Sequence, residues 1–468
     1  MTDAIELARA ALAGTRCWLV GGAVRDELLG GGADSKLDID LIVDGDVRAA
    51  ARTLARAAHG TSFELSDEHG AWRVVVPDDD FQIDLNPLRG ASVEADLAER
   101  DFTVNAIAQP IAGGDLIDPF GGCADLERHA LRLVAPGALS ADPLRAMRLV
   151  RLSCELELKP DDAARSAARE VAPRLPETAA ERVFGELRRI VECDRATDGL
   201  RLAGELGLGA AVLPELEAMR GVEQNPYHHL DVYGHTLEVL EAAIGLERDP
   251  VAAFGPEHGH QIGALLAEPF ADGLTRGAAL RFGALLHDIA KPPTRAVTTE
   301  GRVTFIGHDA LGAEMARTVL ARLRASERLQ SHVAALTLHH LRLGFLVNRQ
   351  PLSRHDAYHY LDGCSPVTAD VTLLSVADRL ATRGERAEEA IERHLALARE
   401  LIGEALRWHN DGRPAPLVRG DDLARALAVE PGPLLGELLA ELEEAQYAGE
   451  VSNREQAIEH ARDRLASR

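Results

Sequence analysis

Short apolar runs separated by turn residues mark the first 135 residues: CWLVGG, LDIDLIV, AWRVVV, FQIDLN, DLIDPF and LRLV, with helical spacing between some of them. Runs of that length, bounded by Gly, Pro and Asp, predict strands, and the mixture predicts an α/β domain. From Ser140 onward the periodicity changes. Long segments rich in Ala, Leu, Arg and Glu, such as ADPLRAMRLVRLSCEL and AAERVFGELRRIV, carry apolar positions at helical spacing, and strand signals nearly vanish. Breakers in EQNPYHH (Glu223 to His229) and NDGRPAP (Asn410 to Pro416) punctuate the helical part. The expected fold class is α+β. Residues 1–138 form an α/β head, 139–220 a helical connector, 221–405 a His-rich helical domain and 406–468 a helical tail.

Length and composition agree with several cores: 468 residues, 46% hydrophobic and 27% charged. The start, MTDAIELARAALAGTRC, reads as a short amphipathic helix carrying acids, unlike a secretory signal, and no apolar run approaches the roughly 18 residues of a membrane span. No membrane association and a cytoplasmic location are expected. Five scattered cysteines without CxxC spacing predict neither a disulfide framework nor a thiolate metal site. The net charge of −24 (51 Lys and Arg against 75 Asp and Glu) argues, as an average, against a nucleic-acid partner. The stretch from Ala141 to Ile190 departs from it, with ten basic residues against nine acidic. An RNA surface and an ordinary arginine-rich helical face both fit that stretch.

Candidate chemistry begins at Cys17 to Gly30, CWLVGGAVRDELLG, which predicts a strand, a turn at Gly21 and Gly22, and a helix. Glycines let the backbone approach a phosphate, and a helix start offers unpaired N–H groups. Next comes KLDIDLIVDGD, where Asp38 and Asp40 lie two apart in an apolar strand and project from one face. Paired carboxylates suit Mg²⁺, which takes one or two acids plus phosphate oxygens, and two such ions serve nucleotidyl transfer. An edge strand carrying two exposed acids is the plainer account of an isolated DxD. Asp84, in FQIDLNPLRG, is either a third catalytic carboxylate or a merely exposed acid.

In DPLRAMR, Asp142 and Arg145 are three apart on an expected helix and share its face. Cytosine and adenine each present an amine beside an unprotonated ring nitrogen, whereas uracil and guanine present a carbonyl beside a ring N–H. A carboxylate with a guanidinium would accept C and A and refuse U and G. A surface ion pair is the alternative. Among eighteen histidines, those in HHLDVYGHT, ALLHDIAKP, FIGHDALGA and TLHHL, with the acid of VADRLATRG, suggest metal ligation. Burying His287 and Asp288 within FGALLHDIA is costly without such a partner.

The order of GGAVRD, LDIDLIV, RDFTVNAIA, DPFGG and DPLRAMRLVR, with the tail from Pro416 to Gln446, resembles the class II tRNA nucleotidyltransferases and bacterial poly(A) polymerases of the polymerase-β-like superfamily. The resemblance implies a polymerase-β-like head, the tRNA 3′ end as partner, CTP and ATP as substrates, and Asp38, Asp40 and Asp84 as the catalytic acids, with Mg²⁺ on Asp38 and Asp40. It implies nucleotide contacts for Gly21, Gly22, Arg25, Arg100, Asp101, Asn105, Asp142, Arg145 and Arg148, a local cap around DFTVN being the plain alternative for the 100–105 stretch. His235, His287, Asp288 and Asp378 resemble the H…HD…D pattern of HD phosphohydrolases, which implies a divalent ion there (Mg²⁺, Mn²⁺, Ni²⁺ or another transition metal), with His308 and His340 as ligands of a second. Three departures stand out. Glu99 replaces a usually basic residue, Ala141 replaces an acid, and only GASVEADLAE separates FQIDLNPLR from RDFTVNA, a short form shared with family members limited to adding CC.

Overall fold

Alternation in LDIDLIV becomes the structural division of a six-stranded sheet. In the computed structural model, which describes residues 2–30, 37–66, 70–76, 81–224, 229–383 and 387–467, β1 (Cys17–Val20), β2 (Leu37–Val43), β3 (Thr61–Ser66), β4 (Ala71–Val75), β5 (Phe81–Pro87) and β6 (Ala108–Pro110) pair in the order β3-β4-β5-β2-β1-β6. β2 runs parallel to β5, and the other neighbours are antiparallel. The strand with the paired acids is therefore interior, which removes the edge-strand account of Asp38 and Asp40.

Side-chain period two then gives each face its content. Leu19, Ile39, Leu41, Val74, Ile83 and Leu85 are fully buried; α3 (Val47–Ala57), following α1 (Thr2–Ala11) and α2 (Gly22–Leu28), buries Ala51 and Leu54 and packs on β4 and β5. Asp46 caps α3 by accepting from Ala49 N–H at 2.9 Å. Register places Asp40 opposite Val20 on one side and Asp84 on the other. Val20 and Ile42 join Val93, Leu97, Ala106 and Ala108 in a second apolar cluster. That cluster ties the sheet to α4 (Val93–Leu97) and to the 3₁₀ turn Thr103–Asn105.

Two expected strands are corrected. DLIDPF yields only an isolated bridge from Ile117 to Ala108, because Asp118 accepts from the N–H groups of Gly122 and Cys123 at 2.7 and 2.9 Å and turns the chain into α5 (Gly122–Glu127). LRLV contributes Ala130–Leu131, paired with Lys159–Pro160, and a bridge from Leu133 to Phe102. β3 and β6 lie outside the expected runs.

Beyond the sheet come α6 (Ala138–Ala141), α7 (Leu144–Glu155), α8 (Asp162–Val171) and α9 (Ala180–Glu192). Asp142 is extended (φ −145°, ψ 104°), not helical. Its place on a helix face beside Arg145 is corrected for a simple reason: Pro143 disfavours helical geometry at the residue before it and is itself the N-cap of α7.

Contacts divide the chain into Met1–Ile190 with Asp198–Val212, and Val191–Thr197 with Leu213–Arg468. Among the described residues, the second unit is mainly helical, with a two-stranded ribbon, Ala296–Val297 with Val303–Thr304. Its central helices include Val232–Arg248, Arg276–Leu286, His308–Arg322, Glu327–His339 and Thr368–Ala381. The long helix Ala387–Asp411 ends at the expected breaker, and the tail helices Gly420–Leu427, Pro433–Ala448 and Arg454–Ala466 bury Leu423, Leu438, Leu442 and Ala457 among themselves. Of the other breaker, Asn225 to His228 lie outside the described residues. None of the five cysteines forms a disulfide, and Cys17, Cys154 and Cys364 are buried. No described helix is long and apolar enough to cross a membrane.

Candidate active site and metal centre

Gly21 ends β1 with φ +72° and ψ −133°, a conformation an L side chain rarely adopts. A Cβ placed on it would lie 3.0 Å from Arg100 Nη1 and 3.7 Å from Asp40 Oδ2. The glycine bend, the β2 carboxylate and a guanidinium therefore meet at one point. Gly22 begins α2 beside it. Asp38 is two residues from Asp40 in β2, opposite Gln82, and its side chain lies outside the described ones. Asp84 shares the Asp40 face, half-buried rather than simply exposed, and accepts both arms of Arg73 at 2.7 and 2.8 Å.

Behind this face runs a polar chain through most of the remaining expected nucleotide residues. Arg25, buried, donates from Nη1 to Asn105 Oδ1 at 2.7 Å and from Nε to Asp26 at 2.8 Å. Asn105 Nδ2 donates to Asp101 Oδ1 at 3.0 Å, and Arg148 Nη1 donates to Asp101 Oδ2 at 2.8 Å. Burial opposes the Asp101 charge, yet Arg148, Asn105 and the Phe102 N–H outweigh it and lower the carboxyl from its ordinary value. Arg100 Nη1 donates to the Asn105 carbonyl at 3.4 Å, while its buried Nε makes no hydrogen bond among the described residues. DFTVN is thus more than a local cap: its acid and amide reach helices far away in sequence.

α5 holds that turn in place. Asp125, buried, accepts from Thr103 Oγ1 at 2.6 Å and from Arg132 Nε at 2.9 Å. A Cβ on Gly122 would sit 2.2 Å from the Thr103 carbonyl oxygen, so only glycine permits the approach. The structure does not bring Asp142 and Arg145 together. Arg145 donates to the carbonyls of Ala138 and Glu99 at 3.0 and 2.8 Å, and Asp142 accepts from Leu144 N–H and Arg182.

The second centre gathers six residues from five helices or their ends. His235 Nε2 lies 3.0 Å from Asp378 Oδ1 and 3.7 Å from Asp288 Oδ2; His287 Nε2 lies 3.1 Å from Asp288 Oδ2. His308 Nε2 is 3.4 Å from Asp288 Oδ1 and 3.3 Å from His340 Nε2. Their donor atoms form two sets, each within 4.8 Å: His235, His287 and Asp378, then Asp288, His308 and His340. The expected quartet and both extra histidines converge. His228, in the same motif, lies outside the described residues.

Tautomers follow from geometry. Nδ1 of His287, His308 and His340 lies 2.8, 2.7 and 2.6 Å from the carbonyls of Ala284, Phe305 and Thr337. A carbonyl only accepts, so each Nδ1 carries a proton and Nε2 is the ring atom left to hold a cation; with no ion bound, burial would lower His287, but Asp288 raises it and favours its protonated form. The Nε2 atoms of His308 and His340 face each other across 3.3 Å, and either a proton on one ring or a shared metal ion removes the repulsion of their lone pairs. The donor set fits a divalent metal. Burial, then the neighbouring His287, pushes His340 down to about 4. Burial would raise Asp288, but His287 and Lys291 hold it well below the usual carboxylate range. Lys291, 2.6 Å from Asp288 Oδ2 and donating to Gln224 at 2.7 Å, was not among the expected residues. Its position three after Asp288 on a helical turn was the available signal.

Each centre has its carboxylates within a stretch of the chain that resembles a known family. A family model described as the poly A polymerase head domain matches residues 17–132, and an HD domain model matches 232–383. A third, described as a probable RNA and SrmB-binding site of polymerase A, matches 157–220. The chain is 37% identical over 445 residues to an A-adding tRNA nucleotidyltransferase of Deinococcus radiodurans, covering 94% of this chain and 93% of the relative. The chain belongs to the tRNA nucleotidyltransferase and poly(A) polymerase family.

As a member of that family it is a nucleotidyltransferase with a fused HD domain. A CC-adding tRNA nucleotidyltransferase of Thermus thermophilus is 34% identical, with 94% of this chain and 91% of that protein covered. Among solved structures, a CCA-adding enzyme with ATP shares the fold at a TM-score of 0.64 and 18% identity, covering 100% of this chain and 96% of that one. A Thermotoga maritima CCA-adding enzyme complexed with tRNA aligns at 0.61 and 18%, covering 98% and 95%.

Proposed function

We propose that this nucleotidyltransferase extends the 3′ end of tRNA in the cytoplasm with C and A from CTP and ATP, without a nucleic-acid template. The observation that carries the reading is the meeting of Gly21, Asp40 and Arg100 on one sheet face, where a nucleoside triphosphate can lie against backbone and guanidinium. Asp38 and Asp40 would hold Mg²⁺, with Asp84, released from Arg73, as a third acid. When bound, the ions supply charge neutralisation for the triphosphate and acidify the attacking hydroxyl. The new bond joins the terminal 3′-oxygen of the RNA to the α-phosphorus, and pyrophosphate leaves.

The remaining residues bind and orient. Arg100 faces the phosphates, Asp101 and Asn105 serve the ribose, and Arg25 and Arg148 keep those two side chains in place. Asp142 accepts from the amine of C or A, and Arg145 exchanges the Glu99 carbonyl for the ring nitrogen. Residues 1–138 act as head, 139–220 as RNA-binding connector, 221–405 as HD domain and 406–468 as tail.

A second reading, that the chain adds only part of the CCA end, is favoured by the segment after FQIDLNPLR. It is short and folded: Ser92 caps α4, Asp96 accepts from Arg89 N–H at 2.9 Å, and Leu97 is fully buried. The separate CC-adding and A-adding relatives fit the same reading. Incubating tRNA ending before, within and after CC with CTP, ATP or both, then sequencing the products, tests both. CCA on the shortest substrate supports the first reading, addition halted at CC or begun only after CC supports the second, and long A-tails refute both.

For the HD centre we infer metal-dependent hydrolysis of phosphoesters on RNA ends or nucleotides. His235, His287, Asp288 and Asp378 would hold one divalent ion, and His308 with His340 would extend the site to a second. Opening of a 2′,3′-cyclic phosphate by one water to a phosphomonoester, or release of inorganic phosphate from a terminal phosphate, lost in Asp288→Asn, is the expected result.

A further inference from the structure

Two contacts fix the Asp142 carboxylate: Oδ1 accepts from Leu144 N–H at 3.1 Å, and Oδ2 accepts from Arg182 Nη2 at 2.8 Å. Arg182 stands on α9 four residues before Glu186, so the two share a helix face. Glu186 accepts from Arg151 Nε at 2.6 Å and lies 3.6 Å from Arg148 Nε. One face of α9 therefore reaches both Asp142 and the guanidinium that steadies Asp101.

The Arg182 side chain is 54% exposed and that of Asp142 is 28% exposed. Ion pairs this wet contribute little to stability. What Arg182 does supply is orientation: a carboxylate held at one oxygen by a backbone N–H still swivels, whereas two donors define its plane. A carboxylate has about four lone-pair positions, so two donors leave acceptor capacity for a substrate amine. Arg145 cannot do this work from where it sits, with both arms on the carbonyls of Ala138 and Glu99.

We propose that Arg182 is a positioning residue for nucleotide selection, holding the Asp142 carboxylate in the plane in which it accepts from the exocyclic amine of an incoming C or A. The inference rests on Asp142 being the base-reading acid, and the experiment separates the two claims. Steady-state transfer of each of the four nucleotides to truncated tRNA is measured for the full chain and for Arg182→Ala, Arg182→Lys and Asp142→Asn. Arg182→Ala is expected to raise KM for CTP and ATP about tenfold, and to narrow their preference over UTP and GTP by a similar factor. Its Tm stays within about a degree of the parent. Arg182→Lys recovers most of the selection, because an ammonium still donates to Oδ2.

If Arg182→Ala keeps the parent's selectivity while Asp142→Asn loses it, the positioning role is wrong and the base-reading acid stands. If Asp142→Asn keeps selectivity, the assignment of Asp142 fails and the inference falls with it. A fall in kcat for all four nucleotides at an unchanged ratio, with a lowered Tm, shows a structural residue and overturns the proposal.

Discussion

Asp40 is tolerated in an interior strand because its face turns from apolar packing at Val20 and Ile42 to the glycine bend and Arg100 within one residue pair. Asp40→Asn keeps the shape and removes the charge. We expect kcat for CMP or AMP transfer to fall by on the order of 10²–10³, with an unchanged Tm, by labelled-nucleotide incorporation and thermal melting. Asp101 gives a pH prediction. Its folded carboxyl is lowered, so its contribution is present above the ordinary value near about 4 and is lost as pH falls through the folded value. The Tm gap between the parent and Asp101→Asn should therefore be constant near neutrality and close as the solution is acidified below about pH 4. That Asp40 lies in a strand and Gly21 at a bend was legible in the sequence because strand period and glycine conformation are local properties. Arg73, Arg182 and Glu186 were not, because their meaning comes from partners met only across strands or helices.

At the scale of elements, α5 acts as a buttress for the Thr103–Asn105 turn: Gly122 touches the Thr103 carbonyl and Asp125 receives the Thr103 hydroxyl. Gly122→Ala should destabilise the chain by about 1–3 kcal/mol in urea unfolding, since backbone rather than a flexible side-chain tip opposes the new methyl. Transfer activity at low temperature should weaken with it, through displaced Asn105. The sequence showed DPFGG and RDFTVNA as separate motifs, and their mutual dependence appeared only when α5 docked on the turn. The same distance between pattern and outcome appears at Asp142. Apolar spacing in ADPLRAMR reads as one helix, but proline geometry divides it, and the acid ends α6 instead of lying within α7.

Across the whole molecule, the two candidate centres fall in two folding units, with Asp40 in the first and the His-Asp cluster in the second. His287→Gln should lower divalent metal retained after dialysis, read by elemental analysis, and abolish phosphate release while leaving nucleotide transfer intact; Asp40→Asn should do the reverse. A joint loss in either variant would show that the centres do not act separately. By itself the sequence determined the α/β head, the helical remainder, the strand acids and the histidine motifs. Periods of two and 3.6, glycine turns and the cost of burying charge operate within a few residues, and composition displays them directly. Tertiary structure alone decided that β2 is interior, that Asp84 is engaged by Arg73, that Arg182 and not Arg145 holds Asp142, and that six residues spread from His235 to Asp378 converge on one centre. Those outcomes depend on which surfaces pack together, and packing joins residues that no local period relates.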